Sequence, residues 1–423
     1  MLSTNAREPS KTYDVSSNTS YALNLSAEPS GEIRRYALRV GSSVHQGVIP
    51  MSTTVSRRTV IGASHAFLAG VALGALPRSA TAQNPPSRTA ASGAIRLAGN
   101  ENPYGPGPAA RAAIEAGIGD SWKYPILEEM AFKAQIAARE GVTPQHVLIG
   151  DGSSEILHIA ALLAGPGGGE LVTATPTFSF VADHVRAIGG WVREVPLDAD
   201  MRHDLMAMRA AVSSATRLVY VCNPNNPTGT LVPGNELREF LATLPPETTA
   251  LVDEAYLELA SDMGKHSVVD RVRAGDNLIV ARTFSKLHGL AGLRIGYALA
   301  RPELIERMAK LKLVAVSSLG LAAAAASHAD LGFQAASREH LAASVAITTA
   351  ALDELKRPYA PTRANFVFFD TGQPAATFLA AMRERGFALG RPFPQYPTWC
   401  RVSMGTVEQM RLFADALRAH YRG

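Results

Sequence analysis

Four short apolar runs most constrain how this chain can fold. "HVLIG" (146–150), "RLVYVC" (217–222), "TALVDEAY" (249–256) and "NLIVART" (277–283) are rich in β-branched residues and end near Gly, Asn, Asp or Thr. Runs of this length and composition predict buried strands. Between them lie stretches with helical spacing; in "SEILHIAALLAG", Ile156, Ile159, Ala160 and Leu163 fall on one face. Such alternation predicts an α/β domain around a largely parallel sheet, covered on both sides. After residue 300 the pattern changes to long Ala-rich helices (303–357), a strand in "ANFVFFD" and a closing helix from Val407. That part is expected to form a second, smaller α+β domain. The expected division is an N-terminal arm with part of the small domain over 83–120, a large domain over 121–314, and a small C-terminal domain over 315–423.

Ligands of such sheets gather at the carboxyl ends of the strands. After "VLIG" come Asp151, Gly152, Ser153 and Ser154, then a helix. Ser153 suits an N-cap, and free N–H groups beside two hydroxyls suit a phosphate. After "RLVYVC" comes "NPNNPTGT", a rigid turn from which Asn226 can direct its amide inward. After "TALV" come Asp253 and Tyr256. A carboxylate ending a buried strand is paired, functional, or a cap for the next helix. After "NLIVA" come Arg282, Thr283, Ser285 and Lys286, with Arg294 eight positions beyond the lysine. A lysine near a sheet edge is usually a solvated tether. Small hydroxyl-bearing neighbours and a second cation instead favour a lowered lysine pKa and an anion site.

Charge narrows the possible partners. Of the chain's 41 Lys and Arg and 37 Asp and Glu, residues 1–82 hold 8 and 4, leaving 33 of each sign in the remainder. The body is neutral, so a nucleic-acid partner loses its electrostatic support. With only Cys222 and Cys400, a disulfide framework is not expected. Residues 51–82 combine Arg57–Arg58, a weakly apolar stretch from Val60 to Leu76 and an Ala80-Thr81-Ala82 cleavage site. They resemble a twin-arginine export signal, which predicts a periplasmic enzyme, with cytoplasmic residence as the alternative. The apolar stretch is short for a membrane span, so no stable membrane association is expected. Residues 1–50, before Met51, read as disordered or as an over-extended start.

The strand ends together suit one chemistry. A phosphorylated pyridine aldehyde needs a lysine for its Schiff base, a carboxylate for the ring nitrogen, donors for the phenolic oxygen and an anion cradle. The mature chain resembles the fold-type-I pyridoxal-phosphate aminotransferases, and most closely the histidinol-phosphate aminotransferase group. The resemblance rests on "NENPYGP" (100–106), "NPNNPTG" (223–229), "VDEAY" (252–256), "SKLHGLAGLRIGY" (285–297), "ANF" (364–366) and "RVSMGT" (401–406). It implies pyridoxal 5'-phosphate as cofactor and transfer of an amino group from an amino acid or other amine to a 2-oxo acid. Lys286 would form the Schiff base and move the proton, Asp253 would pair with the ring nitrogen, and Asn226 and Tyr256 would bond the phenolic oxygen. Phe178 would stack on the ring, where relatives more often have Tyr. Gly152, Ser153, Ser154, Ser285 and Arg294 would hold the phosphate, although Ser154 stands where relatives often have Asp. Tyr124 would reach the phosphate of a neighbouring subunit, making the active form a homodimer. Arg401 would grip the substrate's anionic group, with Tyr104, Asn365 and Arg391 also on the substrate side.

One departure concerns the substrate. The resemblance calls for an arginine four residues after Gly386, but Gly390 stands there and Arg391 follows one position later. A one-residue shift within a strand turns a side chain to the other face. An exported copy would also need a substrate other than a histidine-biosynthesis metabolite. Racemisation, decarboxylation or carbon–carbon bond formation on the same cofactor is the alternative reaction class. His288 is expected on an exposed helix surface, Cys222 as a buried strand residue, and the scattered histidines show no metal-ligand spacing.

Overall fold

A computed structural model describes residues 93–165 and 167–422. Residues 1–50 and the export signal read at 51–82 lie outside the described residues. Eleven strands follow one another: β1 (Ile95–Leu97), β2 (Val147–Asp151), β3 (Glu170–Thr175), β4 (Trp191–Pro196), β5 (Thr216–Cys222), β6 (Thr249–Asp253), β7 (Leu278–Thr283), β8 (Ile295–Ala300), β9 (Phe366–Asp370), β10 (Phe387–Leu389) and β11 (Trp399–Ser403). The central sheet has seven strands in the order β2-β8-β7-β6-β5-β3-β4. Only β8 runs antiparallel to its neighbours. All four apolar runs are strands of this sheet.

The strands are apolar throughout because helices cover both faces. Successive residues of β5 alternate between two cores: Val219 and Val221 join one, Leu218, Tyr220 and Cys222 the other. The first core receives Phe132 and Ile136 from the helix Ile126–Glu140 and Leu237 and Phe240 from Gly234–Ala242. The second receives Ile156, Ile159 and Ala160 from the helix Gly152–Ala164, with Leu163 packed at its edge. Each fully buried Val, Leu or Ile contributes roughly 1.5–3 kcal/mol, enough to make the sheet a rigid platform. Tyr220 and its cross-strand neighbour Thr173 bring hydroxyls to the second core's face of the sheet.

Two small sheets flank this platform. β1 pairs in parallel with β10, and β9 pairs antiparallel with β11. Leu97, Val367, Phe369, Phe387, Val402 and Phe413 share one core, so the start of the described chain is stitched to its end. Among the described residues no helix is long and apolar enough to cross a membrane.

Candidate active site

The parallel strands β2, β3, β5, β6 and β7 all finish at one edge of the sheet, and a cavity of about 320 Å³ opens there. Its wall includes Ser153 and Ser154 after β2, Phe178 after β3, Asn226 after β5, Asp253 and Tyr256 at β6, and Ser285 and Lys286 after β7. Arg294, Arg391 and Arg401 complete the basic side. The edge is a shared feature of parallel strands, so residues far apart in sequence converge there.

Lys286 is held at the floor. Its Nζ donates to the Gly99 carbonyl at 3.4 Å and lies 5.4 Å from the centre of the Tyr256 ring. Burial, then the Arg401 charge, lowers its pKa from 10.5 to about 8, with Glu101 and Asp253 opposing. Asp253 is buried: Oδ1 accepts the Ala255 N–H at 3.1 Å and Oδ2 accepts the Tyr220 hydroxyl at 3.2 Å. Burial raises this carboxyl to about 6, although both donors and Lys286 pull it down. The Tyr256 hydroxyl accepts from Asn226 Nδ2 at 3.3 Å and from Asn100 Nδ2 at 3.0 Å. Burial pushes that phenol well above its ordinary value.

An anion cradle forms around the start of the helix Gly152–Ala164. The expected Ser153 cap is not made. Asp151 is the N-cap residue, without a side-chain cap bond, and Glu155 Oε2 accepts the Asp151 N–H at 2.7 Å. The helix starts directly after β2, which ends at Asp151, two residues earlier than a Ser153 cap would require. Both serines line the cavity. Arg294, in left-handed backbone (φ 55), directs Nη2 to Ser154 Oγ at 3.4 Å. Gly152 does not line the cavity but makes room for that guanidinium: a Cβ there would sit 2.5 Å from Arg294 Nη2. Among the described residues Arg294 has no carboxylate partner.

On the opposite wall, Arg401 Nη1 donates to Asn226 Oδ1 at 2.5 Å and Nη2 to the Ala98 carbonyl at 3.0 Å, while its buried Nε has no partner. Arg391 stands nearby, its guanidinium 5.3 Å from the Phe393 ring. It lies beyond β10, in a loop, so strand alternation does not govern where it points.

Other expected residues lie elsewhere. Tyr104 does not line the cavity; its ring stacks on His340 at 4.4 Å and its hydroxyl accepts the Val407 N–H at 2.9 Å. The aromatic partner on a distant helix draws it away from the site. Asn365 is one shell back, its Nδ2 donating to the carbonyls of Asn100 and Glu101 at 3.0 and 3.2 Å, which tethers the segment beneath Lys286. Tyr124 is 81% exposed and outside this chain's cavity. His288 corrects the expectation of an exposed histidine. It is 1% exposed, with Nδ1 2.8 Å from Ser327 Oγ and Nε2 3.8 Å from the Glu258 carboxylate. The segment after Lys286 is a buried turn rather than a surface helix, so its histidine points into the protein. Cys222 is a fully buried strand residue whose thiol burial pushes far up. Among the described residues no group of three or more His, Cys, Asp or Glu is placed to hold a metal.

The motif reading also left residues unassigned. Asn100 takes positive φ (52), which Asn tolerates better than most residues, and reaches Tyr256. The "NENPYGP" motif signalled that segment without assigning Asn100 a contact. Arg282, named among the strand-end residues, turns away from the cavity into a buried cluster, 2.6 Å from Glu140 and 2.8 Å from Glu254.

These parts fit a phosphorylated pyridine aldehyde. A buried lysine of lowered pKa faces a buried carboxylate, and an arginine without a carboxylate partner among the described residues stands beside two serines in room that the absent Cβ of Gly152 leaves for its guanidinium. The aminotransferase class I and II family matches residues 92–417. A histidinol-phosphate aminotransferase of Ralstonia nicotianae is 39% identical over 332 residues, 77% of this chain and 88% of that protein. One from Moorella thermoacetica is 38% identical over 77% of this chain and 84% of that protein. The crystal structure of a Sinorhizobium meliloti histidinol-phosphate aminotransferase in complex with pyridoxal-5'-phosphate superposes with a TM-score of 0.73 at 32% identity, covering 78% of this chain and 91% of that one. The chain belongs to the class I and II aminotransferases. It is a fold-type-I transaminase, and pyridoxal phosphate is its cofactor.

Proposed function

We propose that this enzyme takes its amino group from a donor that carries an anionic group and passes it to a 2-oxo acid; histidinol phosphate is the first compound to test, and export of the enzyme would make another anionic amine the donor. The observation that carries this reading is the Arg401–Arg391 pair. Two guanidiniums share one wall, and among the described residues neither has a carboxylate partner. Like charges held together in a half-buried site are stabilised by an anion between them, and a guanidinium fork matches phosphate or carboxylate. The names of the relatives supply the phosphate monoester as the first candidate.

Bound pyridoxal phosphate supplies an aldehyde that condenses with amines and a ring that withdraws electrons from the substrate's Cα–H bond. The chain's residues do the rest. Lys286 Nζ, with a pKa of about 8, is partly neutral at physiological pH and so carries a proton away from one carbon and returns it to another. Asp253 would hold the ring nitrogen, while Asn226 and Tyr256 would bond the phenolic oxygen. Ser153, Ser154, Ser285 and Arg294 would hold the phosphate, and Phe178 would stack on the ring. Arg401 fixes the substrate's anionic end so that its Cα–H stays within reach of Lys286.

The donor is tested by recording cofactor absorbance while histidinol phosphate, histidinol, glutamate, and aromatic and basic amino acids are added singly. Bleaching by histidinol phosphate and not by histidinol is expected, and Arg391→Ala should raise KM for the phosphorylated donor about tenfold or more. Equal bleaching by both compounds refutes the anion requirement.

Two further parts belong to the proposal. The exposed Trp122, Tyr124, Ile126, Leu127 and Met130 form an apolar stretch suited to a second copy, with Tyr124 reaching that copy's phosphate. Light scattering is expected to give twice the chain mass. Residues 51–82 direct export to the periplasm, where the donor pool differs from that of the cytoplasm. Cell fractionation, with Arg57→Lys plus Arg58→Lys as control, should find cleaved protein in the periplasm only for the unaltered signal.

A further inference from the structure

The Tyr220 hydroxyl lies in the second core of the sheet, where packing does not need it. Tyr220 on β5 is fully buried among Leu218, Leu251, Ile279 and Ile156. A phenylalanine would fill the same apolar space. The hydroxyl donates to Asp253 Oδ2 at 3.2 Å, with the Cys222 thiol beside it as its other polar neighbour. The register sets this up: Cys222 pairs with Asp253 across β5 and β6, so Tyr220 stands two residues back on the same face and reaches forward to the strand end. Asp253 Oδ1 is held from the other side by the Ala255 N–H at 3.1 Å. One donor on each oxygen fixes the plane of the carboxylate and leaves its remaining lone pairs toward the cavity.

We propose that Tyr220 is a positioning residue for transamination: its hydroxyl keeps Asp253 ionised and correctly turned, and so keeps the proton of the carboxylate–pyridine pair on the ring nitrogen. This rests on Asp253 as the partner of that nitrogen, as proposed above. The pair shares one proton. When a donor stabilises the carboxylate, the proton resides on nitrogen and the ring is cationic. Without the donor it moves to the Asp253 oxygen and the ring becomes neutral, with no change in total charge or proton number. Burial already favours the neutral pair, because a separated charge is costly away from water. The Tyr220 hydroxyl acts against that tendency without touching substrate or cofactor.

The test uses holoenzyme reconstituted with pyridoxal phosphate labelled with 15N in the ring, comparing wild type, Tyr220→Phe and Asp253→Asn by NMR. Wild type should show a protonated ring nitrogen and Asp253→Asn a neutral one. If these two resonances coincide, the Asp253 assignment fails, and Tyr220 is not what has been refuted. If they differ, the Tyr220→Phe resonance should move from the first toward the second. Loss of one hydrogen bond to a charged group shifts the proton equilibrium about tenfold to a hundredfold. The variant's kcat should fall about tenfold with KM for both substrates unchanged, as expected when only a transition-state effect is lost. A nitrogen resonance still at the wild-type position, with kcat within about twofold, overturns the proposal. A second protein with 3-fluorotyrosine at position 220 keeps the ring shape and strengthens the donor. Its resonance should lie at or beyond the wild-type position, and movement toward the Asp253→Asn position would equally overturn it.

Discussion

Replacing Lys286 by methionine should stabilise the cofactor-free protein. The folded lysine titrates near 8 instead of 10.5, chiefly because it is buried and secondarily because Arg401 is close. At about 1.4 kcal/mol for each pH unit, the protein loses about 3 kcal/mol by keeping a protonated lysine there. The sign follows from proton counting. Below pH 8 the lysine is protonated in both folded and unfolded chains, and the whole cost is present. Between pH 8 and 10.5 the folded chain sheds the proton first, so stability rises with pH until the cost is gone. Methionine has similar length and no charge, so it removes the cost at every pH. Thermal melting of cofactor-stripped protein should place Lys286→Met several degrees above wild type at pH 7, on a scale of about 2 °C per kcal/mol. The gap should narrow steadily as pH rises from 8 toward 10. A variant that melts at or below wild type, or a gap independent of pH, would refute the claim that Lys286 is held at the expense of stability.

Other perturbations have equally definite outcomes. Arg282→Met leaves Glu140 and Glu254 buried without their cation and should cost about 3–5 kcal/mol of unfolding free energy, measured by urea denaturation of the cofactor-free protein. Gly152→Ala puts a Cβ 2.5 Å from Arg294 Nη2 at a backbone angle of φ +73, so cofactor titration should show affinity weakened about tenfold or more. Lys286→Ala should abolish the visible absorption of the lysine-linked cofactor and lower the transamination rate by at least about 10²–10⁴, read in single turnovers.

Much of this enzyme was legible in one dimension. The β-branched runs required strands buried on both faces, and the residues placed directly after those strands had to meet at one edge. Lys286, Asp253, Tyr256, Asn226 and the two serines after β2 are all strand-end residues and line the cavity. Local rules fix where a strand stops, so they fix this part of the site. The orientation of single polar side chains is different, because it depends on what packs across from them. His288 is buried because Ser327, 39 positions away, and Glu258 on another strand-end turn lie opposite. Tyr104 turns from the cavity because His340 offers a stacking face, and Ser153 is no cap because β2 continues through Asp151. Arg391 reaches the cavity because β10 ends before it, which local spacing alone did not establish. The sequence determined four strands of the seven-stranded sheet and the chemistry carried at their ends. Only tertiary structure decided which of the remaining polar groups join them, because hydrogen bonds and burial are settled between residues that the chain itself keeps far apart.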